Sequence, residues 1–482
     1  MRNSQRKALE YSVGKWYNRS RKGGGSMARR HEIDMCSGAI FPKLMQVALP
    51  LACSGVLQLF FNAADVIVVG RYAGDNSLAA VSSNVSLVAL LTNFFLGLSA
   101  GANILAARYF GSRDEEGLSK TVHTAITISL ISGVLLTLIG VFGARTILIW
   151  MQCPENVLPL ATLYLRIYFG GMTATMLYNF GAALLRAQGD TKRPLYYLTF
   201  AGIVNVALNL FFVIELHMDV AGVAVATVIS QIISAALVIR CLMRETGPMR
   251  LDPRSLGIDV GKLRRILQVG IPAGLQGVLF SVSNVVIQSS INSFGEVVMA
   301  GNGAAFNIEN FLYAPIDAFY QTNAAFASQN YGAGNHRRIL PIYIQAQASN
   351  AVLTAALSGI VYFFGPQLLS IYTNSPAVIA AGMVRIGIVG ATYVLNSFMN
   401  IIVGTIRGIG YNVMPMVVTL LGACAFRLVW IATVFQIPRF HTIETIYWSY
   451  PVSWVITYLA HLICLVIVYR KLRRTAEASA DR

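Results

Sequence analysis

KLMQVALPLACSGVLQLFFNAADVIVVGRYAG, residues 43–74, is a run long and apolar enough to span a bilayer, for which about 20 such residues suffice. One carboxylate, Asp65, stands inside it. A charge at the bilayer centre costs roughly 2.5–3.5 kcal/mol on insertion scales, so an acid kept there points to function. The stretch also recurs. Gln46-Val-Ala-Leu-Pro50 returns as Gln268-Val-Gly-Ile-Pro272, Gly55 as Gly277 and Asn62 as Asn284. An expensive acid in a repeated spanning element suggests a transporter.

The rest of the chain agrees with a membrane reading. Of its 482 residues 55% are hydrophobic and only 12% charged, about half the charge of a soluble domain. The apolar residues come in long blocks, which indicates an all-α polytopic membrane protein. A β-barrel would need short alternating segments, and these are absent. The net charge of +16 does not indicate a nucleic-acid partner, because the Lys and Arg residues fall between apolar blocks rather than on one face of a folded domain. Six cysteines (36, 53, 153, 241, 424 and 464) are scattered without a CxxC, so neither a metal site nor a disulfide framework is implied. The sequence has no G-x-x-x-x-G-K-[ST] and no HExxH, and its Gly-x-Ser-x-Gly at 97–101 lies inside a long apolar span, where no strand-to-helix elbow is visible. ATP use by a P-loop, zinc hydrolysis and serine hydrolysis therefore lack a motif in its required context. The expectation is a non-enzyme without a cofactor.

Twelve spans are predicted near 43–70, 77–110, 117–143, 157–186, 193–214, 220–243, 263–294, 297–330, 338–364, 376–406, 412–436 and 443–470. Basic residues cluster in the N-terminal stretch, the loops near 108–120, 186–193, 240–265, 337–338 and 407, and the C-terminal end. The opposite side holds only Arg71, Arg145, Arg166, Arg385 and Arg439. The positive-inside rule then places both termini in the cytoplasm, which requires an even span count. Residues 1–42 form either a disordered cytoplasmic tail or, up to Met27, a stretch ahead of the true start. The expected division is a tail at 1–42, a six-helix lobe at 43–243, a linker at 244–262, a second lobe at 263–470 and a tail at 471–482. The expected location is the cell (inner) membrane.

The repeat runs the length of the chain at an offset near 221. Arg108-Tyr-Phe-Gly111 matches Gln329-Asn-Tyr-Gly332, and Arg186-Ala-Gln-Gly189 before Pro194 matches Arg407-Gly-Ile-Gly410 before Pro415. Six spans per repeat give two lobes of the same orientation, related by a pseudo-twofold along the membrane normal. In such folds the substrate site lies between the lobes near mid-membrane. Each chain supplies both lobes, so a functional monomer is expected.

Of 21 acidic residues only Asp65, Glu309 and Asp317 fall well inside apolar spans. They are the candidate ion-coupling residues, the bland alternative being a structural partner for a nearby Arg. Gln58, Phe61 and Asn62 stand at helical spacing from Asp65. An acid with amide oxygens nearby could bind Na⁺ or exchange H⁺, and Na⁺ at Asp65 or Glu309 is the one metal these residues could hold. Glu309 and Asp317 are eight residues apart with Pro315 between them. That proline clashes with the carbonyl four residues back, at Phe311. A cation or proton site between the two carboxylates is expected, flanked by Tyr313 and Tyr320. Asn179, Asn205, Asn209, Asn284 and Asn396 lie inside spans, either lining a cavity or tying helices together. Gly97-xxx-Gly101 and Gly270-xxx-Gly274 fit close helix contact.

These landmarks resemble the MATE family, the multidrug and toxic compound extrusion transporters. The match rests on LxxxALP ending at Pro50, Asp65-x4-Gly70-Arg71, Leu78-Ala-Ala-Val81 and Arg186-Ala-Gln-Gly-Asp-Thr-Lys-Arg-Pro194. Gln329-Asn-Tyr-Gly-Ala333 and Arg407-Gly-Ile-Gly410 extend it into the second half. The resemblance implies a V-shaped pair of six-helix lobes, alternating access, and export of organic cations, drugs or metabolites against Na⁺ or H⁺. The family's first-helix acid matches Asp65, its tenth-helix acid falls on Asn396, and the fifth-helix acid of many relatives falls on Asn209. The seventh-helix acid of one branch has no counterpart in 277–292. Glu309 fits the eighth-helix acid of other branches, which shifts the second-lobe role toward it. A lipid-linked oligosaccharide flippase shares this architecture and is the alternative. It would want a cavity rich in Arg and Lys, whereas the only in-span candidates are Arg166, Arg385 and Arg427, mostly near span ends.

Overall fold

The structure, a computed structural model, describes residues 32–72, 75–151 and 153–480. The possible start at Met27 and the tail up to residue 31 lie outside the described residues. Among the described residues there is no β-strand. Helices α1 (Ile40–Tyr72), α2 (Asp75–Ser112), α3 (Glu115–Trp150), α4 (Leu158–Gly170 and Met172–Ala187), α5 (Lys192–Leu210) and α6 (Asp219–Arg244) form the first lobe. The second comprises α7 (Val260–Asn292), α8 (Glu296–Gly332), α9 (His336–Phe363), α10 (Pro376–Arg385 and Tyr393–Ile409), α11 (Val413–Thr419 and Phe426–Ala432) and α12 (Ile443–Ala480). The fold is thus twelve helices in two six-helix lobes.

Seven helices are individually long and apolar enough to cross a membrane, and the two parts of α10, bent by 43°, make an eighth span. The remaining four have physical reasons to fall short. Gly171 divides α4 into segments of 13 and 16 residues. Helices α2, α8 and α9 carry Asn and Ser along their length, and α8 and α9 carry Gln as well. The outer faces are bare hydrocarbon. Ile131, Leu135, Leu138 and Phe142 of α3, and Leu459, Ile463 and Ile467 of α12, are exposed. Faces of that size need an apolar environment, and lipid supplies it. The protein is a multi-pass membrane protein.

The lobes meet along α1 against α8 and α2 against α7. The α2–α7 contact is backbone on backbone. A Cβ at Gly97 would lie 2.3 Å from Gly274 N, and one at Gly101 would lie 2.6 Å from Ile266 O. The two small-residue motifs therefore serve close approach. Symmetric bonds repeat within each lobe. Asn103 Nδ2 donates to Ala183 O on α4, and Asn323 Nδ2 to Ile401 O on α10, each at 2.7 Å.

At the end that carries the connector between the lobes, here the linker end, residues 245–259 fold onto α3. Asp252 N donates to His123 Nε2 at 3.1 Å and Asp259 N to Thr124 Oγ1 at 3.1 Å. His123 accepts at Nε2, so its proton sits on Nδ1 and goes to Ser119 O. Residues 32–39 differ from the expected loose tail. Met35 is fully buried, and its carbonyl accepts from Asn330 Nδ2 at 3.0 Å. An apolar side chain in a polar stretch pins this strap across the seam. At the other terminus α12 runs on to Ala480, past the expected end at 470.

Candidate functional site

Asp65 faces into the first lobe. The Phe61 ring presses on Gly202, where a Cβ would lie 1.9 Å from the ring, so α1 and α5 run very close there. One turn further along α1, Asp65 meets Asn209 of α5, whose Nδ2 donates to the carboxylate Oδ1. Thr227 Oγ1 of α6 stands 3.4 Å from Oδ2, but its single proton has a better acceptor in Val223 O at 2.9 Å. Asn205 closes the group, with Oδ1 3.3 Å from Asn209 Nδ2 and Nδ2 3.4 Å from Thr227 Oγ1. Among the described residues no Lys or Arg pairs with Asp65. A carboxylate offers about four acceptor positions, and one strong donor leaves most of them open. Asn209 Oδ1 is itself buried without a partner.

Glu309 is differently placed. It is 3% exposed and faces Arg385, also 3% exposed, in a bidentate pair. Arg385 Nε donates to Oε1 at 2.8 Å and Nη2 to Oε2 at 2.7 Å. Arg385 Nη1 continues to Asn302 Oδ1 at 2.7 Å, and Asn302 Nδ2 to Gln288 Oε1 at 2.9 Å. Glu309 thus has a structural Arg partner, the alternative to an ion-coupling role. Arg385, assigned from sequence to the outer end of a span, is buried, as is Arg427, which is 2% exposed. Both stack on Tyr450, with guanidinium carbons 5.4 and 4.1 Å from its ring centre.

The expected site between Glu309 and Asp317 does not form. Glu309 turns to α10, while Asp317 Oδ2 accepts from Gln321 Nε2 at 2.6 Å and lies within reach of the Arg186 charge on the first lobe. The carbonyl tied down near the kink is that of Pro315, which accepts from Asn350 Nδ2 at 3.3 Å. Tyr313 is 41% exposed, and Tyr320 OH accepts from Arg407 Nη1 at 2.6 Å. Gln58 and Asn62 bond to each other at 3.4 Å rather than to Asp65. Asn179 Nδ2 goes to its own helix at Thr175 O, 2.9 Å away. Asn284 is exposed. Asn396 is buried and accepts from Asn400 Nδ2 at 2.7 Å. Of the sequence candidates, Asn205 and Asn209 are the ones brought to Asp65.

Several residues gave little signal in sequence. Thr227 is one hydroxyl in an apolar helix and looks like any helix-packing Thr. Arg407, placed in a loop by its motif, is 5% exposed and donates to Gln276 Oε1 at 2.8 Å. The Arg186–Pro194 motif turns out to be a clamp. Thr191 Oγ1 donates to Val47 O of α1 at 2.9 Å, and Arg193 bridges Asp190 and Glu245.

A duplicated all-helical bundle with an unpaired intramembrane acid defines a multi-pass membrane transporter. The chain belongs to the MatE family, whose model matches residues 50–211 and again 272–432, once in each lobe. It is 29% identical over 379 residues to Probable multidrug resistance protein YoeA of Bacillus subtilis (strain 168), covering 77% of this chain and 82% of that one. It is 26% identical over 394 residues to Probable multidrug resistance protein YpnP of the same organism, covering 82% and 88%. A solved structure described as the outward-facing conformation of a multidrug resistance MATE family transporter of the MOP superfamily superposes with a TM-score of 0.86 at 20% identity. That match covers 94% of this chain and 100% of the other and shows a shared fold.

Proposed function

We propose that this protein is a secondary active multidrug exporter that moves organic, mostly cationic, compounds outward in exchange for Na⁺ or H⁺. The observation that carries the reading is Asp65, a carboxylate among helices α1, α5 and α6 with one strong donor and, among the described residues, no basic partner. Antiport needs one group for which substrate and coupling ion compete, so that one leaves before the other binds. A carboxylate already paired to Arg, such as Glu309, serves that exchange poorly. A free carboxylate beside amide oxygens is the hard oxygen set an alkali cation takes, and it is equally a proton acceptor. No cofactor enters this scheme, and the names of the Bacillus relatives support drugs as substrates.

Alternating access supplies the cycle. In this structure the linker end is sealed. Ser328 Oγ donates to Ile104 O at 2.7 Å, Gln329 Nε2 to Ala187 O at 2.6 Å, and Arg108 Nη2 to Gly408 O at 3.3 Å. With the positive-inside rule placing the linker end in the cytoplasm of the cell membrane, the state is closed to the cytoplasm. One chain holds both lobes and acts as a monomer.

The test is ethidium efflux from pump-deficient cells under a Na⁺ gradient or a pH gradient imposed separately. Wild type is expected to export with one gradient, and Asp65→Asn to abolish export while remaining in the membrane. Undiminished export by Asp65→Asn would overturn the mechanism.

A further inference from the structure

The second lobe contains a charge that the fold leaves unanswered. Arg385 spends its guanidinium on Glu309 and Asn302. Arg407 uses Tyr320 and Gln276, and Arg193 uses Asp190 and Glu245. Among the described residues Arg427 has one hydrogen bond, from Nε to Ser453 Oγ at 2.8 Å. Its Nη2 is buried with no partner, and no described carboxylate pairs with it. Arg385 is close enough for the two positive charges to act on each other. Two guanidiniums therefore share a neighbourhood with one carboxylate, Glu309. Arginine keeps its proton inside proteins, and an uncompensated buried charge is strongly unfavourable. Rings of Tyr450 at 4.1 Å, Phe280 at 5.8 Å and Trp454 at 5.8 Å offset part of that cost, but their faces supply no formal negative charge.

A second poorly partnered group stands on the neighbouring α7. Ser283 Oγ of α7 is buried without a well-formed hydrogen bond, beside the Cys424 thiol, which in turn neighbours Arg427. Ser283 lies one turn along α7 from Phe280, whose ring Arg427 already touches, so both side chains come from the face of α7 turned to α11. An unpaired Nη2 beside three aromatic rings and a hydroxyl with only a thiol next to it are the donor set for one anionic group.

We propose that Arg427 and Ser283 form an anion subsite in the second lobe that takes one negatively charged group, either a free inorganic anion or the acid group of a bound amphiphile. The inference does not depend on the coupling scheme, because binding can be read without transport. Access requires separation of α7 from α11, and the aromatic wall favours an acid group carried on an apolar ring.

The test uses the purified full-length protein in detergent at constant ionic strength. Thermal unfolding is followed while chloride, inorganic phosphate or benzoate replaces a large excluded anion. A saturable rise in the unfolding midpoint with wild type is expected, lost in Arg427→Met and weakened about tenfold in apparent affinity in Ser283→Ala, a change equal to about 1.4 kcal/mol. Arg427→Met removes a buried charge and keeps the volume, so it is expected to fold, and its own melting curve checks this. A response to benzoate alone supports the subsite and assigns it to a substrate acid group. A response to chloride or phosphate supports it and assigns it to a free ion. Absence of a saturable response in folded wild type, or an undiminished one in Arg427→Met, overturns the proposal. Neither result touches the efflux test of Asp65.

Discussion

Gly111 and Gly332 are pseudo-symmetric partners in one crossing. A Cβ at Gly111 would lie 2.0 Å from Gln329 O, and one at Gly332 would lie 2.1 Å from Arg108 O. Arg108 and Gln329 are themselves repeat equivalents, so the pseudo-twofold axis passes between α2 and α8 here. The crossing belongs to the seal at the linker end. Gly111→Ala and Gly332→Ala should each push the helices apart and penalise the closed seal by roughly 1–3 kcal/mol, about a 5- to 150-fold shift in the open-to-closed ratio. Symmetry makes the two effects similar. Labelling of Cys36, next to the seam, by an impermeant thiol reagent at the linker end should speed up in both. Unchanged labelling in both would show that the crossing does not hold the seal.

Asn209 is the strong donor to Asp65. Bonds to charged groups are worth roughly 1.5–3 kcal/mol. Asn209→Ala should therefore move the ion concentration needed for half-maximal efflux by about 10- to 150-fold, with protein yield and melting temperature little changed. Thr227→Val should do much less, because the Thr227 proton is better used at Val223 O. Equal effects from the two substitutions would contradict this ranking of donors.

The repeat, the span number and Asp65 were legible because each is a property of spacing or composition. A 221-residue offset survives any uncertainty about helix ends, and an acid in an apolar run stands out whatever it faces. Depth and facing were not legible. Arg385 and Arg427 were assigned near the ends of spans by hydropathy, but π turns at Ile386–Gly390 and Leu420–Ala425 lie beside them. Each wide turn inserts a residue and rotates the helix beyond it, so side-chain direction cannot be counted from the span start. An eight-residue count puts Glu309 and Asp317 on one face, yet Glu309 finds Arg385 of α10 while Asp317 stays with Gln321 of its own helix near Arg186 of the first lobe. Thr227 carried no signal, since its role exists only where α1, α5 and α6 meet.

The strap at residues 32–39 gives a separate prediction. Asn330 donates to Met35 O, Asn335 to Cys36 O, and Arg338 to Ser37 O and Gly38 O. Lys43 Nζ is held on Asp34 O at 2.6 Å and Ser37 O at 2.9 Å. Asn330→Leu leaves the buried Met35 carbonyl without its donor, a loss of roughly 1–3 kcal/mol. Trypsin should then cut after Lys43 several times faster in the purified protein. A cleavage rate equal to wild type would mean that Asn330 is not what fastens the strap.

The Glu309–Arg385 pair separates structural from ion-coupling roles. Removing one partner of a buried pair strands the other charge and costs roughly 3–5 kcal/mol, whereas replacing both with apolar groups can be nearly neutral. Glu309→Leu alone should lower the melting temperature sharply. Arg385→Met alone should do the same, because Glu309 would then be the buried orphan and Asn302 Oδ1 would keep only its longer bond, from Tyr447 OH at 3.3 Å. The double variant Glu309→Leu with Arg385→Met should recover most of the lost stability. If Glu309 acts through Arg385, the double variant should also recover ethidium efflux. If Glu309 carries the ion, stability should return without efflux. Melting curves and efflux on the same four proteins therefore distinguish a pair that builds the second lobe from an acid that works in the cycle.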